Sequence, residues 1–227
     1  ALKRWGRVDI LVNNAGIVSA SGTLGTLSDE EWEKDMAVSA SGTFYLCRAV
    51  WEGMMERDFG RIVNISSGSW FGMGSAVPYP AAKRAVWAMT RSLAAATNAL
   101  GKNVKINAIM PIAGSRMTQL MGPEIHGLME RDFPARPVAP VVAMLAHESA
   151  PCNGEMFTAG GGGYTRVFAG VTQGYRATDK DWTPETALAQ FDKVMDTNGF
   201  HIPEGSMDEA ALYTSDVPWE AFKPFIK

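Results

Sequence analysis

Three short apolar runs, separated by two long helical patterns, constrain the fold of this 227-residue chain more than any other feature. The runs lie at residues 8–12, 61–65 and 104–110. Each run is followed by residue types that favour turns or that terminate strands. Such runs are typical of buried strands. Strands that alternate with helices through short connections form a parallel sheet with helices on both faces. We therefore predict an α/β fold built on a doubly wound parallel sheet of the Rossmann type.

The two helical patterns begin at recognisable signals. Ser28 and Glu31 have the spacing of a capping box, which predicts a helix that continues to about residue 55. Tyr79 opens the second pattern, and Pro80 suits the first turn of that helix. Both patterns are long, so each helix can connect two neighbouring parallel strands.

The later part of the chain predicts less regular structure. Pro111 stops the third strand, a helix covers about residues 138–146, and a fourth strand at 154–159 ends in the glycines of 160–163. Further on, the sequence becomes polar and is punctuated by prolines. We predict two domains: an incomplete Rossmann-like domain at residues 1–168 and a C-terminal helical arm at residues 169–227.

Composition and charge exclude several classes of protein. The formal net charge of −3 at pH 7 lacks the basic excess of a nucleic-acid-binding domain, so we expect no nucleic-acid partner. No stretch reaches the roughly 18 apolar residues of a membrane span. We therefore expect no membrane partner and a cytoplasmic location. The two cysteines and three histidines lack metal-ligand spacing, so we expect no metal site.

The most informative pair of side chains is Tyr79 and Lys83. Residues four apart in a helix lie on the same face, so the phenol and the ammonium point into the same space. A cation beside a phenol favours the phenolate and lowers the pKa of the tyrosine. We therefore predict that Tyr79 exchanges a proton with a carbonyl oxygen or an alcohol near neutral pH.

The order of the surrounding motifs supports this interpretation. Residues 13–16 read Asn-Asn-Ala-Gly and follow the first strand, Ser66 and Ser67 end the second, and Pro111 follows the third. Open α/β sheets bind ligands at the carboxyl ends of their strands. Together with the Tyr-x-x-x-Lys motif, this order resembles the short-chain dehydrogenase/reductase family as far as about residue 165.

The resemblance implies roles for particular residues. Tyr79 is then the acid/base, Lys83 lowers its pKa and binds the nicotinamide ribose, and a strand-end serine positions the substrate oxygen. The implied cofactor is NAD, with NADP as the alternative, and the implied substrate is a small molecule with a hydroxyl or keto group. Besides Tyr79 and Lys83, the residues expected beside the cofactor are Asn13, Ala15, Gly16, Pro111, Ile112, Ala113, Gly114 and Thr118.

Two features of the predicted site stay open at this point. The spacing back from Tyr79 selects Ser66 as the catalytic serine, whereas the spacing forward from Gly60 along the strand selects Ser67. We favour Ser67, because a strand resists a shift of one residue. Ser39 stands where family members usually carry an asparagine that helps a proton relay, so we expect this relay to be absent or built differently.

A closer resemblance is to the dehydrogenase unit of the peroxisomal multifunctional enzyme of fatty-acid β-oxidation. It implies lipid metabolism and an NAD-linked 3-hydroxyacyl-CoA or a similarly bulky substrate, such as a steroid alcohol. The two long helices also resemble the pair that forms the dimer interface in this family, so we expect a homodimer or homotetramer. This closer resemblance rests on the segments at residues 113–118, 136–140, 147–149, 153–157 and 183–185.

The glycine-rich turn that binds the pyrophosphate in this family, Gly-x-x-x-Gly-x-Gly, does not occur before Asn13. We expect about three strand–helix units to be missing from the start of the fold, either because the polypeptide is truncated or because the sequence omits them. The alternative to an enzyme is a non-catalytic scaffold or assembly protein that keeps the same fold.

Overall fold

The structure, a computed structural model, describes residues 1–19, 22–177 and 182–212. The chain divides into two compact units, Ala1–Val167 and Phe168–Lys227. The first unit contains the sheet and every residue predicted for the site.

Helices and strands alternate in the first unit. Its helices are α1 (Leu2–Trp5), α2 (Asp29–Asp35), α3 (Gly42–Glu56), α4 (Pro78–Ala99), α5 (Pro123–Asp132) and α6 (Ala139–Ala146). Its strands are β1 (Ile10–Asn13), β2 (Gly60–Ile65), β3 (Val104–Ile112), β4 (Met156–Gly160) and β5 (Gly163–Val167). A π-helical segment (Met36–Ser41) joins α2 to α3, and 3-10 turns (Gly68–Phe71 and Arg116–Met121) lie in the loops after β2 and β3.

The five strands form one sheet in the order β1-β2-β3-β4-β5, which is also their order along the chain. Strands β1 to β4 are all parallel to one another, and β5 is antiparallel to β4. Asn13 pairs with Asn64, and Ile65 pairs with Ile109, so the end of β1 lies beside β2 and the end of β2 lies beside β3. The prediction of a doubly wound, mostly parallel sheet is confirmed.

Alternate residues of each strand point to opposite faces of the sheet, and each face has its own helices. Ile62 and Ile106 are fully buried and pack with Met54 of α3 on one face, which α4 also covers. Val63 packs with Leu145 of α6 on the other face. Burial of each such side chain contributes about 1.5–3 kcal/mol, which makes these two layers the main source of stability.

The start of the first long helix follows the predicted capping box. The main-chain N–H of Ser28 donates to the carboxylate of Glu31 at 2.9 Å, and the N–H of Glu31 donates to the Ser28 hydroxyl at 3.2 Å. The helix predicted to reach residue 55 is instead composed of α2, the π-helical segment and α3, and it ends at Glu56. The second predicted helix is α4, with Pro80 in its first turn.

Two strand predictions are wrong. Pro111 does not stop β3, because the strand continues to Ile112 and Pro111 lies opposite Ala159 of β4. Proline is tolerated near a strand end, where its missing N–H removes only one possible hydrogen bond. Gly161 and Gly162 do not simply end β4. Their φ angles of 57° and 84° form a two-residue hairpin turn that returns the chain as β5, which was not predicted.

The second unit contains α7 (Pro184–Ala189), α8 (Phe191–Met195) and α9 (Ser206–Ala211). The Thr183 hydroxyl caps α7 by accepting the N–H of Thr186 at 3.2 Å. Within the part of the chain that the structure describes, no helix has the length and apolar character needed to cross a membrane. The same residues bring together no group of three or more His, Cys, Asp or Glu side chains that could bind a metal ion.

Candidate active site

Tyr79 and Lys83 lie one turn apart on the buried side of α4. They are 9% and 3% exposed, and Lys83 Nζ lies 5.8 Å from the centroid of the Tyr79 ring. Lys83 Nζ donates a hydrogen bond of 2.9 Å to the main-chain oxygen of Ile65, the last residue of β2. The pair therefore lies at the carboxyl edge of the sheet, where such folds bind ligands.

The two candidate serines have different partners. Ser66 is 2% exposed, and its hydroxyl donates to the main-chain oxygen of Lys83 at 2.8 Å. The hydroxyl of Ser67 accepts the N–H of Ser69 at 3.2 Å, and its influence lowers the pKa of the Tyr79 phenol. The structure therefore brings Ser67 together with Tyr79, whereas Ser66 joins the end of β2 to α4.

The pKa of Tyr79 lies above the ordinary value for a tyrosine. Burial is the main cause, because it disfavours the charged phenolate. The influence of the Ser67 hydroxyl opposes this increase in the pKa of Tyr79, and the negative charge of Asp35 adds to it. The lowering of this pKa by Lys83 that the sequence predicts is not observed, because the ammonium is directed at the Ile65 oxygen and burial dominates.

Burial also shifts the pKa of Lys83, and it lowers this pKa, as expected for a cation. It lowers the pKa of Lys83 to about 8, because the charged ammonium loses its hydration and receives only the neutral Ile65 oxygen in return. Lys83 can therefore release a proton slightly above neutral pH.

A chain of buried hydrogen bonds connects the end of β1 to α4. The side-chain amide of Asn13 donates to Asn64 at 2.8 Å and to Cys47 Sγ at 3.4 Å. Asn64 in turn donates to the hydroxyl of Thr90 at 2.9 Å. Burial raises the pKa of Cys47 to about 11, which keeps it a protonated core thiol. The side-chain oxygen of Asn13 is buried and has no partner among the described residues, so it can accept a hydrogen bond from a ligand.

The loop after β1 passes close to Lys83. Ala15 is exposed and Gly16 is half-buried. A β-carbon at Gly16 would lie 3.0 Å from Lys83 Nζ and 3.8 Å from the hydroxyl of Ser39. Glycine at this position therefore lets the main chain approach the ammonium closely.

The residues predicted at the end of β3 differ in their exposure and in their packing. Pro111 is half-buried and Ile112 is 40% exposed at the strand end. Ala113 packs on the core beside α6, and a β-carbon at Gly114 would lie 2.7 Å from an α-carbon of α5. The hydroxyl of Thr118 lies 2.8 Å from a ring nitrogen of a histidine in α5. Ala113 and Gly114 thus have close packing contacts with α6 and α5, whereas Pro111 and Ile112 lie at the open end of the strand.

Sequence reasoning missed one buried acid near the site. Asp35, the last residue of α2, is 0% exposed, and one carboxylate oxygen accepts the N–H and the hydroxyl of Ser19 at 2.9 and 2.8 Å. Its other oxygen has no partner among the described residues, and neither has the hydroxyl of Ser39, which is 1% exposed. The sequence does contain a signal for this buried acid, because Asp35 follows Trp32 by three residues and so falls on the apolar side of the predicted helix.

Apolar side chains lie exposed on the two loops that border the site. These loops follow β2 and β3, the strands whose carboxyl ends carry the serines and Pro111. The exposed fractions are 68% for Phe71, 39% for Met73, 36% for Met117, 72% for Leu120 and 53% for Met121.

The sequence and the fold are both similar to known dehydrogenases. The profile of the short chain dehydrogenase family matches residues 1–124. The chain is 33% identical over 216 residues to the peroxisomal hydratase-dehydrogenase-epimerase of Neurospora crassa, covering 93% of this chain and 23% of that protein. It is 36% identical over 172 residues to the acetoacetyl-CoA reductase of Rhizobium meliloti, covering 70% of this chain and 69% of the reductase.

A solved structure gives the same result. The full-length peroxisomal multifunctional enzyme type 2 from Drosophila melanogaster matches with a TM-score of 0.75 and 28% identity, over 88% of this chain and 36% of that chain. The protein belongs to the short-chain dehydrogenase family, whose members use NAD or NADP, and the resemblance stated from its motifs is confirmed. The chain spans well under half the length of the two peroxisomal proteins.

Proposed function

We propose that the protein is an NAD(P)-dependent oxidoreductase that interconverts a secondary alcohol and a ketone. The observation that carries this proposal is the placement of Tyr79 and Lys83 at the end of β2, with Lys83 Nζ 5.8 Å from the centroid of the Tyr79 ring and hydrogen-bonded to the Ile65 oxygen, just before Ser66 and Ser67. These groups lie at the carboxyl edge of a parallel sheet, and together they can hold one oxygen atom and move one proton to or from it.

Each of the three side chains has a distinct task in this proposal. When a ketone is reduced, Tyr79 donates its phenolic proton to the carbonyl oxygen while Ser67 donates a hydrogen bond to the same oxygen. When an alcohol is oxidised, the Tyr79 phenolate removes the hydroxyl proton. Lys83, one helical turn from Tyr79, would hold the nicotinamide ribose and so place the cofactor beside the phenol. The raised pKa of Tyr79 means that the protein alone holds the protonated, proton-donating form at neutral pH.

The described residues fit the nicotinamide end of the cofactor. The oxygen of Asn13 is buried without a partner, and the loop at Gly16 leaves Lys83 Nζ beside main chain rather than beside another side chain. The cofactor supplies or accepts the hydride, and we propose NAD rather than NADP from the resemblance of the motifs. The residues proposed to hold it are Asn13, Ala15, Gly16, Tyr79, Lys83, Pro111, Ile112, Ala113, Gly114 and Thr118.

For the substrate, we propose a 3-hydroxyacyl-CoA or its 3-keto counterpart. The names of the Neurospora and Rhizobium relatives support this class, since one includes a dehydrogenase and the other is an acetoacetyl-CoA reductase. The exposed apolar side chains of the two bordering loops suit an acyl chain. A steroid alcohol is the alternative bulky substrate. A cytoplasmic location stays a prediction, because "peroxisomal" describes only the relatives.

We also propose that the protein forms a homodimer or homotetramer through α3. Phe44, Tyr45 and Leu46 are adjacent on this helix and are 47%, 55% and 50% exposed. The guanidinium of Arg48 lies 5.1 Å from the Phe44 ring and 5.4 Å from the Tyr45 ring. Three adjacent large apolar side chains and a stacked arginine are typical of the residues enriched in protein interfaces.

The function is tested with the purified protein and both candidate cofactors. Calorimetric titration with NAD and NADP measures binding, and the absorbance of the reduced cofactor measures turnover of the R and S isomers of a 3-hydroxyacyl-CoA. We expect saturable binding and turnover of one isomer. Binding of neither cofactor at millimolar concentration, together with no turnover, would favour the non-catalytic scaffold instead.

A further inference from the structure

The hydroxyl of Thr118 has three hydrogen-bond partners, and one of them is a histidine ring. The main-chain N–H of Ser115 donates to this hydroxyl at 3.0 Å, and the main-chain oxygen of Ser115 lies 2.7 Å from it. Nδ1 of His126 lies 2.8 Å from the same oxygen. A hydroxyl has one proton and two lone pairs, and the Ser115 N–H occupies one lone pair. The state of His126 therefore decides how the second lone pair is used.

The segment that carries Thr118 lies directly against α5, the helix of His126. The main-chain N–H of Gly114 donates to the main-chain oxygen of Phe133 at 2.8 Å, and a β-carbon at Gly114 would lie 2.7 Å from the α-carbon of Glu130. Glycine thus permits this close approach. The side chain of His126 is 18% exposed, so it is packed in this contact and can still exchange a proton with solvent.

Glu130 favours one of the two tautomers of neutral His126. Its carboxylate lies 3.4 Å from Nε2, whereas Thr118 is the partner of Nδ1. An acceptor beside Nε2 favours the tautomer that carries the ring proton there, which leaves Nδ1 with a lone pair. The Thr118 proton then goes either to Nδ1 or to the main-chain oxygen of Ser115. In both cases the second lone pair of the Thr118 oxygen stays free.

Protonation of His126 reverses the hydrogen bond with Thr118. A charged imidazole carries a proton on each nitrogen, so Nδ1 now donates to the Thr118 hydroxyl. The proton of Thr118 then goes to the main-chain oxygen of Ser115, and both lone pairs of the hydroxyl are occupied. In this state the hydroxyl can accept no hydrogen bond from a ligand.

The charged groups near the ring belong to α5 and to the 3-10 turn of Thr118, which pack against each other. Among the described residues, Glu130 is the one acid that pairs with the ring of His126. The other charged residues of these two elements are Arg116, Glu124, Arg131 and Asp132, of which the last two pair with each other at 2.8 Å.

We propose that His126 is a positioning residue that makes cofactor affinity depend on pH through Thr118. Neutral His126 leaves the Thr118 hydroxyl able to accept a hydrogen bond from the amide N–H of the nicotinamide, and protonated His126 removes that ability. This inference rests on the proposed function, which places Thr118 beside the cofactor. The proton that His126 gains comes from solvent, and no electrons move and no bond between heavy atoms changes.

The binding test measures Kd by calorimetry at about pH 7.5 and about pH 5.5, with whichever of NAD and NADP binds more tightly. These values lie on either side of the usual titration range of histidine. We expect the wild-type Kd to be about fivefold higher at the lower pH, because one hydrogen bond to the cofactor is lost in most molecules. His126→Asn keeps an acceptor near the position of Nδ1 but cannot be protonated, so its Kd should change little between the two pH values.

His147→Asn is the matched control. Nδ1 of His147 also contacts a hydroxyl, that of Ser149 at 2.7 Å. This histidine lies at the opposite edge of the sheet, since its main-chain oxygen accepts a hydrogen bond from Arg61 near the start of β2. We expect His147→Asn to keep the wild-type dependence of Kd on pH.

Thr118→Val tests whether the histidine acts through the hydroxyl. Valine keeps the shape of the side chain and removes the oxygen, so Kd at pH 7.5 should rise about tenfold and should no longer depend on pH. Adding His126→Asn to Thr118→Val should cause no further change, because both residues act through one contact. A histidine that merely supported the fold would add a loss of its own.

A further readout follows the ring of His126 itself. Its ring protons are titrated by NMR without and with saturating cofactor, and His126→Asn assigns their signals. Because the cofactor binds better when the ring is neutral, the bound cofactor should move the midpoint of this titration to lower pH. The midpoint of His147 should not move.

The inference is overturned if the wild-type Kd is equal at the two pH values, if His126→Asn keeps the wild-type pH dependence, or if bound cofactor leaves the His126 midpoint in place. Should His126→Asn not fold, Thr118→Val decides, because a wild-type pH dependence without this hydroxyl would exclude the path. Binding of neither cofactor at any pH would refute the proposed function together with this inference. Cofactor binding without these pH effects would refute the inference alone.

Discussion

The hydroxyl of Ser66 donates a 2.8 Å hydrogen bond to the main-chain oxygen of Lys83, and this bond uses the only proton of that hydroxyl. Ser66 is thereby committed to holding α4 against the end of β2. The hydroxyl of Ser67, the next residue, instead lowers the pKa of the Tyr79 phenol. The geometry therefore favours Ser67 as the residue that binds the substrate oxygen, and the two serines become separable by mutation.

Ser67→Ala should reduce activity but not stability, and Ser66→Ala should reduce stability. Ser67→Ala should lower kcat/KM about 100-fold and leave the unfolding free energy nearly unchanged, because its hydroxyl serves the substrate. Ser66→Ala should lower the unfolding free energy by about 1 kcal/mol, because a buried hydrogen bond is lost. Steady-state kinetics and urea unfolding of both variants check this. The reverse pattern, with activity lost in Ser66→Ala alone, would exchange the two roles.

Lys83 should make the protein more stable as the pH rises above 8. The pKa of Lys83 is about 8 in the folded protein and 10.5 ordinarily, so between these values the unfolded chain binds more protons than the folded one. The unfolding free energy therefore increases with pH in this window. Urea unfolding at intervals from pH 7 to pH 10 should show a steeper rise for the wild type than for Lys83→Met. Lys34→Met removes an exposed lysine and should keep the wild-type slope, and an equal slope in Lys83→Met would contradict the assignment.

Arg61 should be a major determinant of stability. It is 0% exposed, and its guanidinium donates to the main-chain oxygens of Gly60, Asn103, His147 and Glu148 at 2.6–3.0 Å. Arg61→Met fills much of the same volume but leaves these oxygens without donors, so we expect a loss of about 3 kcal/mol in urea unfolding.

An exposed arginine supplies the control for that measurement. Arg131→Met removes an arginine whose side chain is 71% exposed and whose ion pair with Asp132 lies in solvent. We expect no measurable change in stability for this variant. Equal effects of the two substitutions would show that the hydrogen bonds of Arg61 do not stabilise the fold.

The proposed interface on α3 should be broken by one charge. Leu46→Glu places a carboxylate on the exposed surface of α3, where the proposed interface would bury it, so the variant should be monomeric by light scattering while keeping its helical circular dichroism. Leu128→Glu changes a leucine of similar exposure, 45% against 50%, on α5 and should keep the wild-type mass. If the wild-type protein is itself a monomer, the proposed interface on α3 is contradicted.

The sheet could be predicted because its signals are local. Apolar runs at residues 8–12, 61–65 and 104–110 correspond to β1, β2 and β3, and the capping box at Ser28 starts α2. The strand β5 was missed because a run of glycines can either end a strand or form the turn of a hairpin. The positive φ angles of Gly161 and Gly162, which form that turn, depend on the pairing of β4 with β5. Local patterns do not contain that pairing.

The site was predictable in its residue types but not in its electrostatics. The spacing of Tyr79 and Lys83 is visible in the sequence, and the structure places both at the predicted edge of the sheet. The sign of the Tyr79 pKa shift depends on burial and on Asp35, which come from distant parts of the chain. The sequence already favoured Ser67 over Ser66, but the hydrogen bond that binds the Ser66 hydroxyl to the main chain of Lys83 joins distant parts of the chain and could not be predicted.

The kinetics of Tyr79→Phe test the central claim most directly, because phenylalanine keeps the ring of this side chain and removes only the hydroxyl. With a 3-hydroxyacyl-CoA and NAD, we expect kcat to fall by at least about 100-fold while cofactor binding and the unfolding free energy stay near their wild-type values. Tyr164→Phe, which alters an exposed tyrosine of β5, should turn over substrate like the wild type. Wild-type turnover by Tyr79→Phe would contradict the account, since no proton would then pass through that phenol.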